Sequence, residues 1–328
     1  MPGSKAKTRS AIFAFFAIIS PLALPSLILG SVDVPPRVVN LLNLFLPMLY
    51  LGVPILAIYR VASAEWTKKL AVVFLMGGAL TWGCFYWLEK YPLSDSTFGA
   101  NAALAISQIG IETACVGLGA VLATMLPDKN LLIPIAIFLA AYDIFLVRTP
   151  VGFTHQLITR APAMLRDTAV RVPAASAHHA GGAVAPNAFI GDADVVSLAA
   201  FFVAMFRFHL RPRETFAVML PTLIVYLVVV VLFHVELPAL LPMGAVFLIM
   251  NYREFRLTKD EKLQTGLIAL LVCGLLTWGL TRPRTEQEPQ PEPAPSVGAP
   301  APQGSAQTPA PEAPGSHPSG SPTAPAGR

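Results

Sequence analysis

Four acidic residues lie inside stretches of the sequence that are otherwise almost entirely apolar. They are Glu112, Asp143, Asp192 and Asp194. No lysine or arginine lies deep in these stretches, so a buried carboxyl group there either holds a proton or shares one with a second carboxyl group. Two carboxyl groups that share one proton can serve as general base and general acid toward a water molecule and a carbonyl group. Such a pair can hydrolyse an amide bond without a metal ion or a nucleophilic side chain.

The spacing of the acids favours Asp143 and Asp192 as this pair. Asp143 lies in the run IAIFLAAYDIFLV, and Asp192 lies in the later run NAFIGDADVVSLAAFF. Asp194 follows Asp192 by two residues, which is about 200° around a helix, so the two are expected to face different neighbours. Glu112 follows Gln108 by one helical turn, and we interpret this short polar stripe as hydrogen bonding between helices.

The composition of the chain places these acids in a membrane protein. Of the 328 residues, 54% are hydrophobic and 13% are charged, whereas a soluble domain has about 25% charged residues. A helix needs about 20 mostly apolar residues to cross the hydrocarbon core of a bilayer. The sequence therefore predicts an all-α polytopic membrane protein with about nine transmembrane helices. The predicted segments are 11–30, 39–59, 69–88, 99–125, 131–148, 187–206, 215–234, 237–251 and 264–281.

The eighth segment, 237–251, is short and carries Pro238 and Pro242 near its start. It is therefore predicted to be a half-helix or a helix with an irregular beginning. Irregular backbone at membrane depth is tolerated only where it is buried in protein or lines a water-filled cavity. Residues 237–242 are for this reason predicted to border a site.

Two further stretches differ from the predicted spans. Residues 149–186 form a long connection whose stretch PAASAHHAGGAVAP is predicted to be unstructured. Residues 282–328 hold 13 of the 31 prolines and cannot bury enough apolar surface to fold, so they are predicted to be a disordered tail. The chain thus divides into N-terminal scaffold helices (1–130), helices that carry the candidate acids (131–281) and the tail.

The charges and small residues indicate how the chain lies in the membrane. The net charge is +4, but no lysine–arginine run is interleaved with aromatic residues, which excludes nucleic acid as a predicted partner. The bias of lysine and arginine toward alternate short loops predicts a cell-membrane protein with a cytoplasmic N-terminus and an external tail.

The three cysteines form no CxxC pattern, so neither a metal site nor a disulfide framework is predicted. The pairs Gly77/Gly78 and Gly117/Gly119 predict close packing of helices.

Three short motifs follow one another along the segments that carry the acids. They are Tyr142-Asp143, Gly191-Asp192 and Pro238-Ala239-Leu240. Their order and their placement in apolar segments resemble the YD, GxGD and PAL motifs of the presenilin and signal peptide peptidase family of intramembrane aspartyl proteases. The resemblance covers residues 131–252.

This resemblance implies a presenilin-like helical bundle in which Asp143 and Asp192 are the catalytic pair. It also implies a set of residues that support the pair or shape the wall beside it, namely Tyr142, Gly191, Pro238, Ala239 and Leu240. Phe189 stands where the GxGD motif has its first glycine. We expect this ring to lie one turn from Asp192 and to affect substrate selectivity and activity.

Three functions remain open at this stage. The first is an endopeptidase that uses the aspartate pair and water, without a cofactor, on transmembrane segments or signal peptides in the lipid bilayer. The second is a transporter or channel in which Asp143, Asp192 and Glu112 line a proton or cation path. The third is a catalytically inactive relative that binds membrane helices as a scaffold, which Phe189 favours.

Overall fold

The chain is predominantly helical in the computed structural model, which describes residues 2–29, 34–91, 97–149, 169–175, 186–233 and 238–281. The helices of these residues are α1 (Pro2–Ile19), α2 (Ala23–Leu29), α3 (Pro36–Ala62), α4 (Lys68–Lys90), α5 (Thr97–Met125), α6 (Leu132–Arg148), α7 (Asp192–Arg207), α8 (Pro212–Phe233), α9 (Leu240–Asn251) and α10 (Lys259–Thr281). Strands β1 (Val170–Pro173) and β2 (Pro186–Ile190) form an antiparallel pair between α6 and α7. All of these elements belong to one compact unit, Met1–Arg284. The predicted tail, 282–328, lies outside the described residues.

Seven helical segments of the described residues are long and apolar enough to cross a membrane. They are Lys5–Leu29, Arg37–Ala62, Lys68–Lys90, Phe98–Met125, Lys129–Arg148, Pro212–Val230 and Lys259–Gly279. Large apolar side chains such as Val73, Leu80 and Val225 are exposed along these segments, as expected where a helix faces lipid. The chain therefore has the architecture of a multi-pass, mainly α-helical membrane protein.

The first predicted segment, 11–30, is divided between two helices. A 3-10 turn, Ser20–Leu22, separates α1 from α2. Pro21 lies in this turn, and proline both lacks the N–H of a regular helical bond and clashes with the preceding turn.

The sixth and eighth predicted segments are shorter as helices than a regular span. The helix α7 begins at Asp192 and has 16 residues, and α9 has 12. The prediction of a helix from residue 187 is wrong because residues 186–190 pair with β1, with Val170 opposite Ile190 and Val172 opposite Ala188. The prediction of an irregular beginning to the eighth segment is confirmed at 238–239, which precede the first helical residue of α9.

The strand pair corrects the prediction for the stretch PAASAHHAGGAVAP, residues 173–186, at its two ends. Pro173 ends β1 and Pro186 begins β2. Residues 150–168 and 176–185 lie outside the described part of the chain.

The helix α5 packs closely on α4 and α7 through glycines. A side chain at Gly78 of α4 would overlap the backbone of Ala114, and one at Gly117 would overlap the backbone of Leu75. A Cβ atom at Gly119 would lie 2.5 Å from the carbonyl oxygen of Val196 in α7. The predicted close packing is thus confirmed at these three glycines. It is wrong at Gly77, where nothing lies within 4 Å of an added Cβ atom.

The helix α9 contacts both helices that carry candidate aspartates. A Cβ atom at Gly244 of α9 would lie 3.3 Å from the carbonyl oxygen of Ala136 in α6. On α7, Phe201 stacks on Phe247 of α9 with 4.7 Å between the ring centroids. The beginning of α9 is therefore held beside both α6 and α7.

Candidate active site

Asp143 is joined directly to the Pro-Ala-Leu segment. Its Oδ2 atom accepts a hydrogen bond of 2.8 Å from the backbone N–H of Leu240, the first residue of α9. The first N–H groups of a helix have no partner within the helix, and a carboxylate is among the best acceptors for them. Asp143 thus caps α9 from another helix, and the segment predicted to border the site does contact an acid.

Tyr226 of α8 holds the same segment from another side. Its hydroxyl donates a hydrogen bond of 2.7 Å to the carbonyl oxygen of Pro238. Tyr226 also interacts electrostatically with Asp143, Asp194 and Arg148. The sequence interpretation missed Tyr226, although its phenol interrupts the apolar run LIVYLVVVVLF.

Asp192 and Asp194 both lie in the first turn of α7. Asp194 interacts electrostatically with Asp143 and with Asp192, so it is the acid that connects the beginning of α7 to α6. Gly191 leaves room for it, because a Cβ atom at Gly191 would lie 3.1 Å from Asp194 Oδ2. Asp194 is thus the acid of α7 that interacts with Asp143.

Glu112 of α5 lies on the other side of this group. It is 4% exposed, and it interacts electrostatically with Asp192. Glu112 Oε2 and Asp192 Oδ1 are buried without a hydrogen-bond partner among the described residues. The interpretation of Glu112 as a hydrogen-bonding residue between helices is therefore not supported at this oxygen.

A small cavity lies next to Glu112 and Asp194. Its volume of about 20 Å³ is enough for a water molecule. Tyr50 of α3, Ile190 of β2 and Met243 of α9 contribute to its wall. The cavity therefore offers two carboxyl groups a place for water inside a largely apolar enclosure.

Two helix N-termini provide electrostatic compensation that the sequence interpretation did not anticipate. The beginning of α7 carries Asp192 and Asp194, and the beginning of α9 donates an N–H to Asp143. The partial positive charge at a helix N-terminus stabilises a nearby anion by about 0.3–1 kcal/mol, and by up to about 2 kcal/mol in partly buried geometries. These aspartates thus lie where the backbone favours negative charge, although none of the interactions found for them among the described residues is with a lysine or arginine.

The strand β2 determines which side chains approach the acids before α7. Successive side chains of a strand point to opposite faces; Ile190 lines the cavity, whereas Phe189 is 37% exposed. Phe189 was expected one helical turn from Asp192, and this is wrong because it lies on a strand. Opposite Phe189, Arg171 forms a 2.6 Å ion pair with Glu89 near the end of α4, which fastens the strand pair to the bundle.

The remaining predicted residues divide into those near the acids and one that faces away. Pro238 and Leu240 are buried and Ala239 is half-buried, at the contact with Asp143. Tyr142 is exposed, and its ring stacks on Phe138 one turn earlier on α6, with 5.5 Å between centroids. The structure therefore joins Asp143 to the Pro-Ala-Leu segment, places Gly191 beside Asp194, and leaves Tyr142 on the outer surface.

The described residues contain no group of three or more histidine, cysteine, aspartate or glutamate side chains placed to hold a metal ion. The chemistry that this region can support is proton transfer among carboxyl groups, together with hydrogen bonding from backbone N–H groups at helix beginnings, as from Leu240 to Asp143. No protein-family model, no curated protein and no solved structure matches the chain.

Proposed function

We propose that the chain is an intramembrane aspartyl endopeptidase that hydrolyses peptide bonds within transmembrane segments or signal peptides. The observation that carries this proposal is the hydrogen bond from Leu240 to Asp143, which joins the Pro-Ala-Leu segment to an aspartate 97 residues away. Asp194, in the first turn of α7 with Asp192, interacts electrostatically with both Asp143 and Asp192. These two observations support a site formed by the Tyr-Asp, Gly-Asp and Pro-Ala-Leu motifs.

In the proposed reaction Asp143 and Asp192 share one proton. The ionised carboxylate takes a proton from water as the water oxygen bonds to the scissile carbonyl carbon, and the protonated carboxyl group gives its proton to the carbonyl oxygen. Collapse of the resulting diol breaks the carbon–nitrogen bond, and the amine leaves with a proton returned by the pair. Asp194, which interacts with both acids, helps to determine which of them holds the shared proton.

The substrate in this proposal is a membrane-embedded helix that unwinds locally. The backbone of a regular helix is already hydrogen-bonded, so a bond to be cut must be presented in extended form. Extended peptides add to exposed backbone through main-chain hydrogen bonds, and the strand pair β1–β2 is suited to receive one. Phe189, exposed on β2, is placed to contact the side chains of such a peptide.

The proposed orientation has a cytoplasmic N-terminus and an external tail in the cell membrane. Arg207 donates a hydrogen bond of 2.8 Å to the carbonyl oxygen of Leu126, and Asn130 donates one of 3.1 Å to that of Arg256. These contacts gather three connections at one end of the bundle, and those connections and the helix ends beside them carry eight basic residues: Lys129, Arg207, Arg211, Arg213, Arg253, Arg256, Lys259 and Lys262. The positive-inside rule then favours this end as cytoplasmic.

The test is cleavage by purified protein in liposomes. Single-span peptides with different helix stabilities serve as substrates, and mass spectrometry of the products locates the cut. We expect cuts within the apolar segment, and inhibition by hydroxyl-containing mimics of the tetrahedral intermediate. Asp143→Ala and Asp192→Ala are expected to abolish cleavage.

Asp260→Ala is the matched control. Asp260 is an exposed aspartate at the beginning of α10, so its removal changes the same functional group without touching the site. Unchanged cleavage in both site variants, or no cleavage of any substrate by the wild-type protein, would overturn the proposal.

A proton or cation path is the second candidate, and Glu112 is the observation that favours it. Its buried Oε2 has no hydrogen-bond partner in the described residues, and unpaired intramembrane acids often mark ion pathways. A pH-sensitive dye inside the same liposomes tests this candidate. Proton entry that Glu112→Gln abolishes, without any proteolysis, would replace the first proposal with this one.

A further inference from the structure

We propose that Glu112 is a positioning residue of the site, which holds a proton and donates it in a hydrogen bond to Asp192 Oδ1. The role of Glu112 in catalysis rests on the proposed aspartyl protease function. The measurement of whether Glu112 holds a proton does not. The sequence pattern alone made Glu112 a residue of helix packing, whereas the structure places it against the first turn of α7.

The first step of the argument concerns two unsatisfied oxygens. Glu112 Oε2 and Asp192 Oδ1 are both buried, and neither has a hydrogen-bond partner among the described residues. Buried polar atoms in folded proteins are nearly always paired. Two carboxylates cannot pair, because both only accept, but a protonated carboxyl group can donate to a carboxylate. One proton between Glu112 and Asp192 therefore satisfies both atoms at once.

The second step concerns the surroundings of Glu112. The titratable groups of the described residues that face it are Asp192 and Asp194 of α7, Tyr50 of α3, and the buried thiol of Cys115 on α5 itself. None of these is a cation. The strands and α9 present apolar side chains to the same cavity, namely Val170, Ile190 and Met243. A charged Glu112 would thus have no positive partner among the residues that the structure describes, whereas a protonated Glu112 has an acceptor at Asp192.

The third step concerns how firmly α5 is held in place. A Cβ atom at Gly119 would lie 2.5 Å from the carbonyl oxygen of Val196 in α7, and Gly119 is two helical turns beyond Glu112. Such close backbone packing fixes the side chain of Glu112 relative to the first turn of α7. Glu112 can therefore determine which oxygen of Asp192 is free for the reaction.

Infrared spectroscopy tests this inference without any substrate. In purified protein at neutral pH, the carbonyl stretching band of protonated carboxylic acids is expected to lose intensity in Glu112→Gln. It is expected to be unchanged in Gln108→Leu, which alters a buried polar residue one turn away on the same helix. A band that is identical in Glu112→Gln and wild-type protein would overturn the inference.

Cleavage rates give a second readout. The amide of Gln can donate a hydrogen bond to Asp192, and the methyl group of Ala cannot. Glu112→Ala therefore leaves a buried acceptor unpaired. Glu112→Gln is expected to cleave at least about tenfold faster than Glu112→Ala. An equal loss of cleavage rate in the two variants would overturn the role of Glu112 as a hydrogen-bond donor to Asp192. If the wild-type protein cleaves nothing, the proposed function fails, and the infrared band still decides whether Glu112 holds a proton.

Discussion

The Oδ2 atom of Asp143 accepts the backbone N–H of Leu240 at 2.8 Å, so one carboxylate both caps α9 and belongs to the proposed catalytic pair. A cap normally comes from the residue just before a helix, and here that residue is Ala239, whose side chain cannot accept a hydrogen bond. The beginning of α9 therefore depends on α6. Any change at Asp143 is expected to have a structural and a chemical consequence, which two substitutions can separate.

Asp143→Asn and Asp143→Ala are expected to be equally inactive but unequally stable. The Asn side chain keeps an oxygen that accepts the Leu240 N–H, whereas Ala leaves this group unpaired, so Ala should lower the free energy of unfolding by about 1 kcal/mol relative to Asn. Both are neutral, which removes the charge of the buried acid from the comparison. Denaturant unfolding in detergent measures the difference. Equal stability of the two variants would show that the cap contributes little.

The helical framework could be predicted from the sequence because the length and apolarity of a span are local properties. The first residue of α7 could not be predicted from the sequence, since the mostly apolar residues NAFI are compatible with either a strand or a buried helix. The pairing partner decides between a strand and a helix, and the partner of β2 is β1, which lies in the connection 149–186, where no strand was predicted. The error at Phe189 followed from this, because a residue three positions before Asp192 lies beside it on a helix but not on a strand.

The candidate site could be predicted where it depends on motif order and not where it depends on distances between helices. The contact between Asp143 and the segment at Leu240 was expected. The positions of Glu112 and Tyr226 were not expected from the sequence, because they depend on how α5 packs against α7 and how α8 packs against α9. The position of Asp194 depends on the local turn at Gly191, which a regular helix drawn from residue 187 does not contain.

The separate roles of Asp192 and Asp194 can be measured by exchanging each for asparagine. Asp192→Asn is expected to lower kcat by at least about 100-fold, the scale of losing a general acid or base. Asp194→Asn is expected to lower it less and to change its pH profile, because Asp194 interacts with both members of the proposed pair. The reverse ranking, an inactive Asp194→Asn and an active Asp192→Asn, would make Asp143 and Asp194 the catalytic pair.

Gly191→Ala is expected to reduce activity while leaving the fold intact. The backbone of Gly191 has φ −69° and ψ 133°, which alanine adopts freely, so stability should stay equal or rise by up to about 1 kcal/mol. The new Cβ atom would lie 3.1 Å from Asp194 Oδ2, so this carboxylate must move by a few tenths of an ångström. The measurement is kcat/KM together with the unfolding midpoint.

Gly274→Ala is the control for this substitution. No atom lies within 4 Å of a Cβ atom at Gly274 in α10, so the change adds helix propensity without a contact. It should leave cleavage unchanged. A loss of activity at Gly274 equal to that at Gly191 would attribute the effect to glycine removal in general and not to Asp194.

The adjacent glycines of α4 provide a stability test of the packing that holds α5 in place. At Gly78 an added Cβ atom would overlap the backbone of Ala114, and backbone atoms can move only if the helices separate. Gly78→Ala is therefore expected to destabilise the protein by about 1–3 kcal/mol, the usual cost of overpacking. At Gly77 nothing lies within 4 Å, and Gly77→Ala should stabilise the helix by up to about 1 kcal/mol. Because α5 also carries Glu112, separation of α4 from α5 should displace this side chain. Gly78→Ala should therefore also lower the cleavage rate, which is measured on the fraction of protein that remains folded. Equal stability of the two alanine variants would mean that α4 and α5 pack less closely than their glycines indicate.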